Sequence, residues 1–195
     1  MTDTHYFLNK VFSDARTANG FTDRQVAHEL LRRIYDIARM GPISMNTQPA
    51  RYVFLTTQTA KDRLFPTLST GNLDKSRQAP VIVIVAVDTQ FHEFMPTLFP
   101  HRPDAKEIFQ NNAALTTETA SRNGTLSSAY FLIVARALGL DCGPMSGFDA
   151  SKVNEEFFPD GRWQVNYLIN LGYGDPIRLF DRQPRLSFEQ AARVL

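Results

Sequence analysis

The amino-acid sequence predicts a single domain in which helices pack on both faces of one mixed β-sheet. The 195 residues include 43% hydrophobic and 11% aromatic side chains, enough to bury one substantial core. Segments with helical periodicity alternate with short runs of β-branched and aromatic residues. Because no repeat, low-complexity tract or long linker divides the chain, residues 1–195 are expected to fold as one unit.

The first long helix is expected at about residues 23–40. Thr22 and Gln25 have the spacing of a capping box, and Gly41 suits a left-handed residue that closes the helix. Apolar residues recur between them at helical intervals: Val26, Leu30, Ile34 and Ile37.

Three strands are predicted from runs rich in β-branched and aromatic residues: 51–57, 80–88 and 163–174. The second run is apolar on both faces, as expected for a central strand. A core helix is expected from Ala113 to Leu138, where Gly139 stops it. Ser187 and Gln190 have capping-box spacing and predict a short terminal helix.

Composition favours a small-molecule partner. The 21 basic and 20 acidic residues are scattered along the chain, which argues against nucleic-acid binding and against a polybasic membrane anchor. The longest apolar run, residues 79–87, is too short to span a membrane. A single cysteine, Cys142, and an N-terminus without a signal-peptide pattern predict a cytoplasmic enzyme. The four histidines have no metal-ligand spacing, so no metal site is expected.

Residues 41–54, GPISMNTQPARYVF, follow the first predicted helix. Pro42 and Pro49 restrict the backbone, and the polar residues Ser44 and Asn46 lie between them. The sequence leaves two interpretations open, namely a rigid ligand-binding loop and a polar connection from helix to strand.

Two groups of polar side chains could bind an anion. Arg16, Thr17 and Asn19 precede the first helix, and Arg182 and Arg185 precede the terminal helix. Guanidinium and hydroxyl groups can hold phosphate through charge-assisted hydrogen bonds, whereas solvated arginines are the alternative for both groups.

Two further stretches could contact a planar ring. Asn72 and Lys75 lie one helical turn apart, or close together on a loop, and could bind a polar ring edge. Residues 142–149, CGPMSGFD, contain two glycines and a proline that would let the backbone approach a planar ligand. A tight turn is the alternative there.

Taken in their order along the chain, the stretches described above resemble those of the nitroreductase-like family of flavoproteins. The resemblance is to the branch of the family that includes the malonic semialdehyde reductase of uracil degradation. The closest matches are GPISMNTQPARYVF, GNLDK before a hydrophobic strand, and ALGLDCGPMSGFD. The resemblance covers nearly the whole chain. It implies an α+β three-layer sandwich with a mixed, mainly antiparallel sheet. It also implies an intertwined homodimer with one FMN in each of two clefts lined by both subunits.

The resemblance also implies roles for individual residues. Those that match positions meeting the FMN phosphate and one ring edge are Arg16, Thr17, Asn19 and Arg185, with Arg182 as a second phosphate candidate. Those that match the pyrimidine side are Asn72 and Lys75, and those whose backbone lies near the reactive edge are Pro144, Met145, Ser146 and Gly147. The segment that matches the partner subunit's contribution is Pro42, Ser44 and Asn46.

The activity implied is that of an FMN-dependent oxidoreductase with ping-pong kinetics and NADH or NADPH as hydride donor. The flavin would carry the chemistry, with Lys75 as electrostatic support and the proton supplied by water or Tyr173. The implied acceptor is a small aldehyde such as malonic semialdehyde, reduced to 3-hydroxypropionate. A nitro compound or quinone is the alternative acceptor.

Two departures from many nitroreductases weigh against a nitroaromatic preference, because Ser146 replaces Glu and Ala50 replaces Trp. Near the N-terminus, one positive charge of the usual pattern is missing or displaced. A flavin-binding carrier or sensor without turnover remains a rival interpretation, as does a structural dimer that has lost FMN.

Overall fold

A computed structural model describes residues 3–195 of the protein. Its β-sheet contains four strands in the order β1-β2-β4-β3. Their bounds are β1 Ala50–Leu55, β2 Val81–Asp88, β3 Asp141–Met145 and β4 Trp163–Gly172. All three strand pairings are antiparallel. The α+β class and the mainly antiparallel sheet implied by the resemblance are therefore confirmed, and no parallel pairing makes the sheet mixed within residues 3–195.

The α-helices cover both faces of this sheet. Their bounds are α1 Asp3–Leu8, α2 His28–Ala38, α3 Gln58–Leu64, α4 Thr70–Gln78, α5 Met95–Leu98, α6 Ala105–Gln110, α7 Ala113–Ala137, α8 Ala150–Phe157 and α9 Phe188–Ala191. Helix α1 continues as a π-helix over Asn9–Ser13, and Ser44–Asn46 form a short 3₁₀ turn.

The two apolar clusters on either side of the sheet make it the middle of three layers. On one face, Ile34 of α2 and Phe131 of α7 pack against the odd-numbered apolar residues of β2. On the other face, Leu64 of α3 and Val153 of α8 pack against the even-numbered ones. Because β2 is central, its side chains are buried on both faces, which explains the apolar run that precedes Asp88.

Helix α2 begins later than the sequence predicts. Its N-cap is Ala27, in extended backbone and without a side-chain cap, so the proposed capping box of Thr22 and Gln25 is wrong. The backbone N–H of Thr22 instead donates to the carbonyl oxygen of Tyr173 at 2.9 Å. This contact keeps the chain extended beside the end of β4 until Val26 enters the core.

The ends of α7 and α9 agree with the sequence. Gly139 follows α7 with a φ of 93°, a left-handed conformation that favours glycine and ends the helix. The capping box of Ser187 and Gln190 is present at the start of α9. Gly41, in contrast, has no positive φ, and the ring of Tyr130 lies against it, which is the reason this position must lack a Cβ.

Strand β3 was not predicted from the sequence. Its residues were interpreted as backbone that approaches a planar ligand or as a tight turn. It lies at one edge of the sheet, beside β4, and its outer side faces the N-terminal segment. None of the helices within residues 3–195 combines the length and apolar character needed to cross a bilayer.

Candidate active site

A basic pocket of about 430 Å³ forms where the N-terminal segment meets α7 and the C-terminal tail. Four arginines line it: Arg16, Arg136, Arg182 and Arg185. Thr17 and Asn19 also line it, so the pocket unites both of the anion-binding groups expected from the sequence. Among the described residues that line the pocket, Asp181 is the one with an acidic side chain, and the pocket therefore has an excess of positive charge.

Two of these arginines brace the backbone of the pocket. Arg182 donates from Nη2 to the carbonyl oxygens of Phe12, Ser13 and Ala15, at 2.7, 2.6 and 2.9 Å. Arg136 donates from Nη1 to the carbonyl oxygen of Val11 at 3.0 Å. These bonds tie the C-terminal tail and α7 to the segment that carries Arg16.

Within the part of the chain that the structure describes, the side-chain hydrogen bonds of Arg16 and Arg185 are local. Their side chains donate to carbonyl oxygens within three residues of their own positions. A guanidinium has five N–H donors, so both retain donors for a bound anion. Desolvation, followed by the like charges of Arg16, Arg185 and Arg136, lowers the pKa of Arg182. Such mutual repulsion is relieved by a bound anion.

Arg136 was missed in the sequence analysis. It lies near the end of α7 in SSAYFLIVARALG, where it is the only charged residue of an otherwise mostly apolar stretch. A lone cation inside an apolar helix end is the signal that could have found it, because such a charge rarely remains without a partner.

The edge of β3 joins the basic pocket to the other predicted residues. The backbone N–H of Ala18 donates to the carbonyl oxygen of Cys142 at 3.1 Å. A Cβ on Gly143 would lie 2.6 Å from the Ala18 carbonyl oxygen, so only glycine lets the two segments come this close. Thr17 and Asn19, on either side of Ala18, are thereby held beside the strand that leads to Pro144.

Helix α4 fixes the chain just after β3. Asn72 Nδ2 and Ser69 Oγ both donate to the carbonyl oxygen of Gly147, each at 2.8 Å. The structure thus places Asn72 beside residues 144–147, and it shows that the Asn72 amide is used within the chain. Lys75, half-buried one turn later on α4, has no side-chain hydrogen bond or salt bridge within residues 3–195.

The loop of residues 42–48 lies at the opposite edge of the sheet. It borders a cleft of about 990 Å³ whose lining includes Pro42 and Asn46 of the loop and mostly aromatic and apolar side chains elsewhere. The backbone N–H of Ser44 donates to Asn123 Oδ1 of α7 at 2.9 Å. Asn46 Nδ2 donates to the carbonyl oxygen of Leu98 at 2.9 Å.

The loop and the basic pocket are separated within one chain. The loop leads into β1, the pocket lies beside β3, and these are the two outer strands of the sheet. Three interstrand spacings of about 4.8 Å put the two edges roughly 14 Å apart. The chain therefore carries two separate groups of the predicted site residues.

Tyr173, the candidate proton donor, has the guanidinium of Arg24 stacked 3.8 Å from its ring centroid.

Comparison with known proteins decides the family. The sequence profile of the nitroreductase family matches residues 14–173. The chain belongs to the nitroreductase family. Among its relatives is a protein of Ralstonia nicotianae that carries the provisional name NADH dehydrogenase/NAD(P)H nitroreductase. It is 53% identical over 188 residues, which cover 96% of each chain. A Rhodopseudomonas palustris relative with the same provisional name is 48% identical and covers 100% of this chain and 98% of its own.

Solved structures of this family have the same fold. A provisionally assigned nitroreductase from Exiguobacterium sibiricum, solved with FMN, is 18% identical, with a TM-score of 0.84, and the alignment covers 100% of this chain and 98% of that one. One from Bacillus subtilis is 21% identical, with a TM-score of 0.88 and coverage of 98% and 100%. Family membership confirms the oxidoreductase class predicted from the sequence, and it supports FMN and a nicotinamide donor as cofactors.

Proposed function

We propose that the protein is a cytoplasmic, homodimeric FMN-dependent NAD(P)H oxidoreductase that reduces a small aldehyde, such as malonic semialdehyde, to the alcohol. The observation that carries the cofactor assignment is the basic pocket. Four arginines line about 430 Å³, and their combined positive charge exceeds that of Asp181 in the lining and of nearby Asp14, which suits the phosphate of a mononucleotide. Bound FMN would supply hydride acceptance from the nicotinamide and hydride delivery to the second substrate.

The residues of this chain would bind and orient the cofactor. Arg16 and Arg185 would hold the phosphate, while Arg182 and Arg136 keep the backbone around it in place. Thr17 and Asn19 lie on the path from the pocket along β3, toward the backbone of residues 144–147. The ammonium of Lys75 would stabilise negative charge near the polar ring edge.

The loop of residues 42–48 would act on the partner's cofactor. It is rigid and polar, yet it lies at the far edge of its own sheet from the basic pocket. In a two-fold dimer, such a loop can cover the site of the other subunit, so that each cleft contains groups from both chains. The exposed apolar residues of α1 and of the C-terminal tail, among them Phe7, Phe180 and Phe188, support an extensive subunit contact.

The choice of acceptor rests on the resemblance and on two side chains. Ser146 is exposed and uncharged, and Ala50 leaves space in the wall of the 990 Å³ cleft. Neither offers the acidic or aromatic contact found in many nitroreductases. The second candidate acceptor is a nitro compound or a quinone, and the nitroreductase names of the two relatives described above favour the nitro compound.

The test begins with the purified protein. A bound flavin gives a yellow protein, and anaerobic NADH or NADPH should bleach it within seconds. An unchanged spectrum would instead identify a carrier or sensor. A colourless protein that gains no flavin on incubation would overturn the cofactor assignment. A screen of malonic semialdehyde, quinones and nitroaromatic compounds then ranks acceptors by kcat/KM.

A further inference from the structure

The loop of residues 42–48 has an unusual backbone. Met45, Asn46 and Gln48 have φ values of 50°, 49° and 45°, in the left-handed region that favours glycine. Asparagine tolerates this conformation, but methionine and glutamine adopt it rarely. Three such residues within four positions require that contacts outside the loop hold its shape.

One series of contacts leads from the loop to a buried carboxylate. Asp88, the last residue of β2, is 1% exposed, and its Oδ2 accepts from Arg51 Nη2 at 2.7 Å. Arg51 Nη1 donates in turn to the carbonyl oxygen of Gln48 at 2.7 Å. Gln48 Nε2 donates to Asn46 Oδ1 at 2.8 Å. A single guanidinium thus connects the buried charge to the left-handed backbone.

Both carboxylate oxygens of Asp88 accept hydrogen bonds. Besides Arg51, Asp88 accepts from Arg162 Nε at 3.1 Å and from the backbone N–H of Gln90 at 2.9 Å. Arg162 also forms a partly exposed ion pair with Glu93 at 2.9 Å, and its pKa is raised chiefly by the hydrogen bond to Asp88. A neutral amide at position 88 would have one acceptor oxygen and would direct an NH₂ group at a guanidinium.

Other anchors of the loop do not involve Asp88. The N–H of Ser44 is bonded to Asn123 of α7, and the amide of Asn46 is bonded to the carbonyl of Leu98. Loss of the Asp88 charge should therefore loosen the Gln48 side of the loop without detaching its other end.

We propose that Asp88 is a positioning residue of the cleft. Through Arg51 it holds Gln48 and Asn46 in the left-handed conformation in which the loop lines the cleft. The consequence for catalysis rests on the proposed function, because the loop matters to turnover only if it borders a flavin site. The connection from Asp88 to the loop is independent of that function.

The test compares Asp88→Asn with Glu93→Gln, which removes a charge from the same ion cluster without touching the connection to the loop. Hydrogen–deuterium exchange of the FMN-free protein reports on the loop through the amide of Thr47, which donates to the carbonyl of Ser44. We expect exchange at least tenfold faster for Asp88→Asn and unchanged for Glu93→Gln. Exchange in β2 and α7 should be the same in both variants.

Titration with FMN and steady-state kinetics provide the functional readout. Asp88→Asn should weaken FMN binding about tenfold and raise the KM for the acceptor more than it lowers kcat. Glu93→Gln should match the wild type in all three quantities. If Asp88→Asn fails to fold, Arg51→Lys replaces it, because a lysine can pair with Asp88 but lacks the fork that also reaches Gln48.

The outcomes separate this inference from the proposed function. Equal loop exchange in the two variants overturns the positioning role. Faster loop exchange with unchanged FMN affinity and KM overturns the role of the loop at the site. If the wild type binds no FMN, the proposed function fails, while the exchange experiment still decides whether Asp88 holds the loop.

Discussion

The hydroxyl of Tyr130 donates to the carbonyl oxygen of Pro42 at 2.9 Å, and its ring lies against the preceding Gly41. A Cβ on Gly41 would lie 2.1 Å from Tyr130 Cδ2, so an alanine there must displace the ring that anchors the start of the loop.

Gly41→Ala should therefore destabilise the protein by about 1–3 kcal/mol, the usual cost of overpacking. Gly71→Ala is the matched control, because a Cβ on Gly71 in α4 meets nothing within 4 Å. The control should be neutral or stabilise the protein by up to about 1 kcal/mol. Urea unfolding at one fixed protein concentration measures both free energies. Equal destabilisation by the two variants would contradict the contact.

Replacing Arg16 or Arg185 with alanine should weaken FMN binding. Loss of one charge-assisted contact costs about 1.5–3 kcal/mol, which is roughly a 10- to 150-fold increase in Kd. Arg122→Ala is the control, because Arg122 pairs with Glu118 on the exposed side of α7 and does not line the pocket. The measurement is a fluorescence titration of the FMN-free proteins. Unchanged affinity in both pocket variants would remove these residues from the site.

Lys75→Met should lower the midpoint potential of the bound flavin. A cation near the pyrimidine edge stabilises the negative charge gained on reduction more than the neutral oxidised ring. Arg77→Met removes a charge of the same sign from the same helix, where Arg77 lies over the ring of Phe65, and it should leave the potential unchanged. A redox titration with a reference dye checks both. A potential that stays the same or rises in Lys75→Met would place Lys75 away from the ring.

Complementation can test whether each flavin cleft contains residues of both subunits. One double variant, Arg16→Ala with Arg185→Ala, damages the phosphate end of the site. The other, Ser44→Ala with Asn46→Ala, damages the loop end. In the mixed dimer, one cleft should collect both lesions while the other remains intact, so activity should return to about half of the wild type.

Each double variant must be nearly inactive as a homodimer for this comparison to work. Co-expression with two different affinity tags provides the mixed dimer, because a large intertwined interface exchanges slowly. If purified mixed dimers remain as inactive as both parents, the loop serves the flavin of its own chain and the assignment in trans is wrong.

Cys142 should be chemically inert in the folded protein. The thiol is fully buried, and burial raises its pKa to about 12. At pH 8 only about one thiol in ten thousand would be ionised, and access to it is blocked as well. Alkylation by iodoacetamide should therefore be slow in native buffer. It should be fast in about 6 M guanidinium chloride, which unfolds most domains. Rapid labelling under native conditions would show that the segment covering β3 opens readily.

Secondary-structure elements could be predicted where the local sequence pattern agrees with the tertiary surroundings of the element. The apolar run of β2 is buried on both faces, and Gly139 takes the left-handed conformation that ends α7. Strand β3 could not be predicted because Gly143 and Pro144 disfavour strands, and edge strands tolerate them only in a suitable context. That context is the N-terminal segment, which lies against Gly143.

The chemistry of the candidate site was easier to predict than its geometry. The basic residues near both termini could be named as candidates by type, but only the fold shows that they line one pocket and that Arg136 joins them. Likewise, Thr22 and Gln25 have the spacing of a capping box, but no helix begins there because the backbone N–H of Thr22 donates to the carbonyl oxygen of Tyr173. Long-range contacts of this kind leave no local signal.

If the proposed function holds, the left-handed residues of the loop restrict how the acceptor specificity can be engineered. Saturation mutagenesis at positions 45, 46 and 48 would strain the loop in many variants, because few side chains adopt a φ near +50° readily and β-branched ones do so least. Libraries confined to Asn, Asp, Gly and His at these positions would keep the backbone. Greater diversity belongs on the walls of the cleft outside the loop, such as Phe94 and Leu98. New acceptors are more readily selected there, since the loop keeps its shape while the cavity changes.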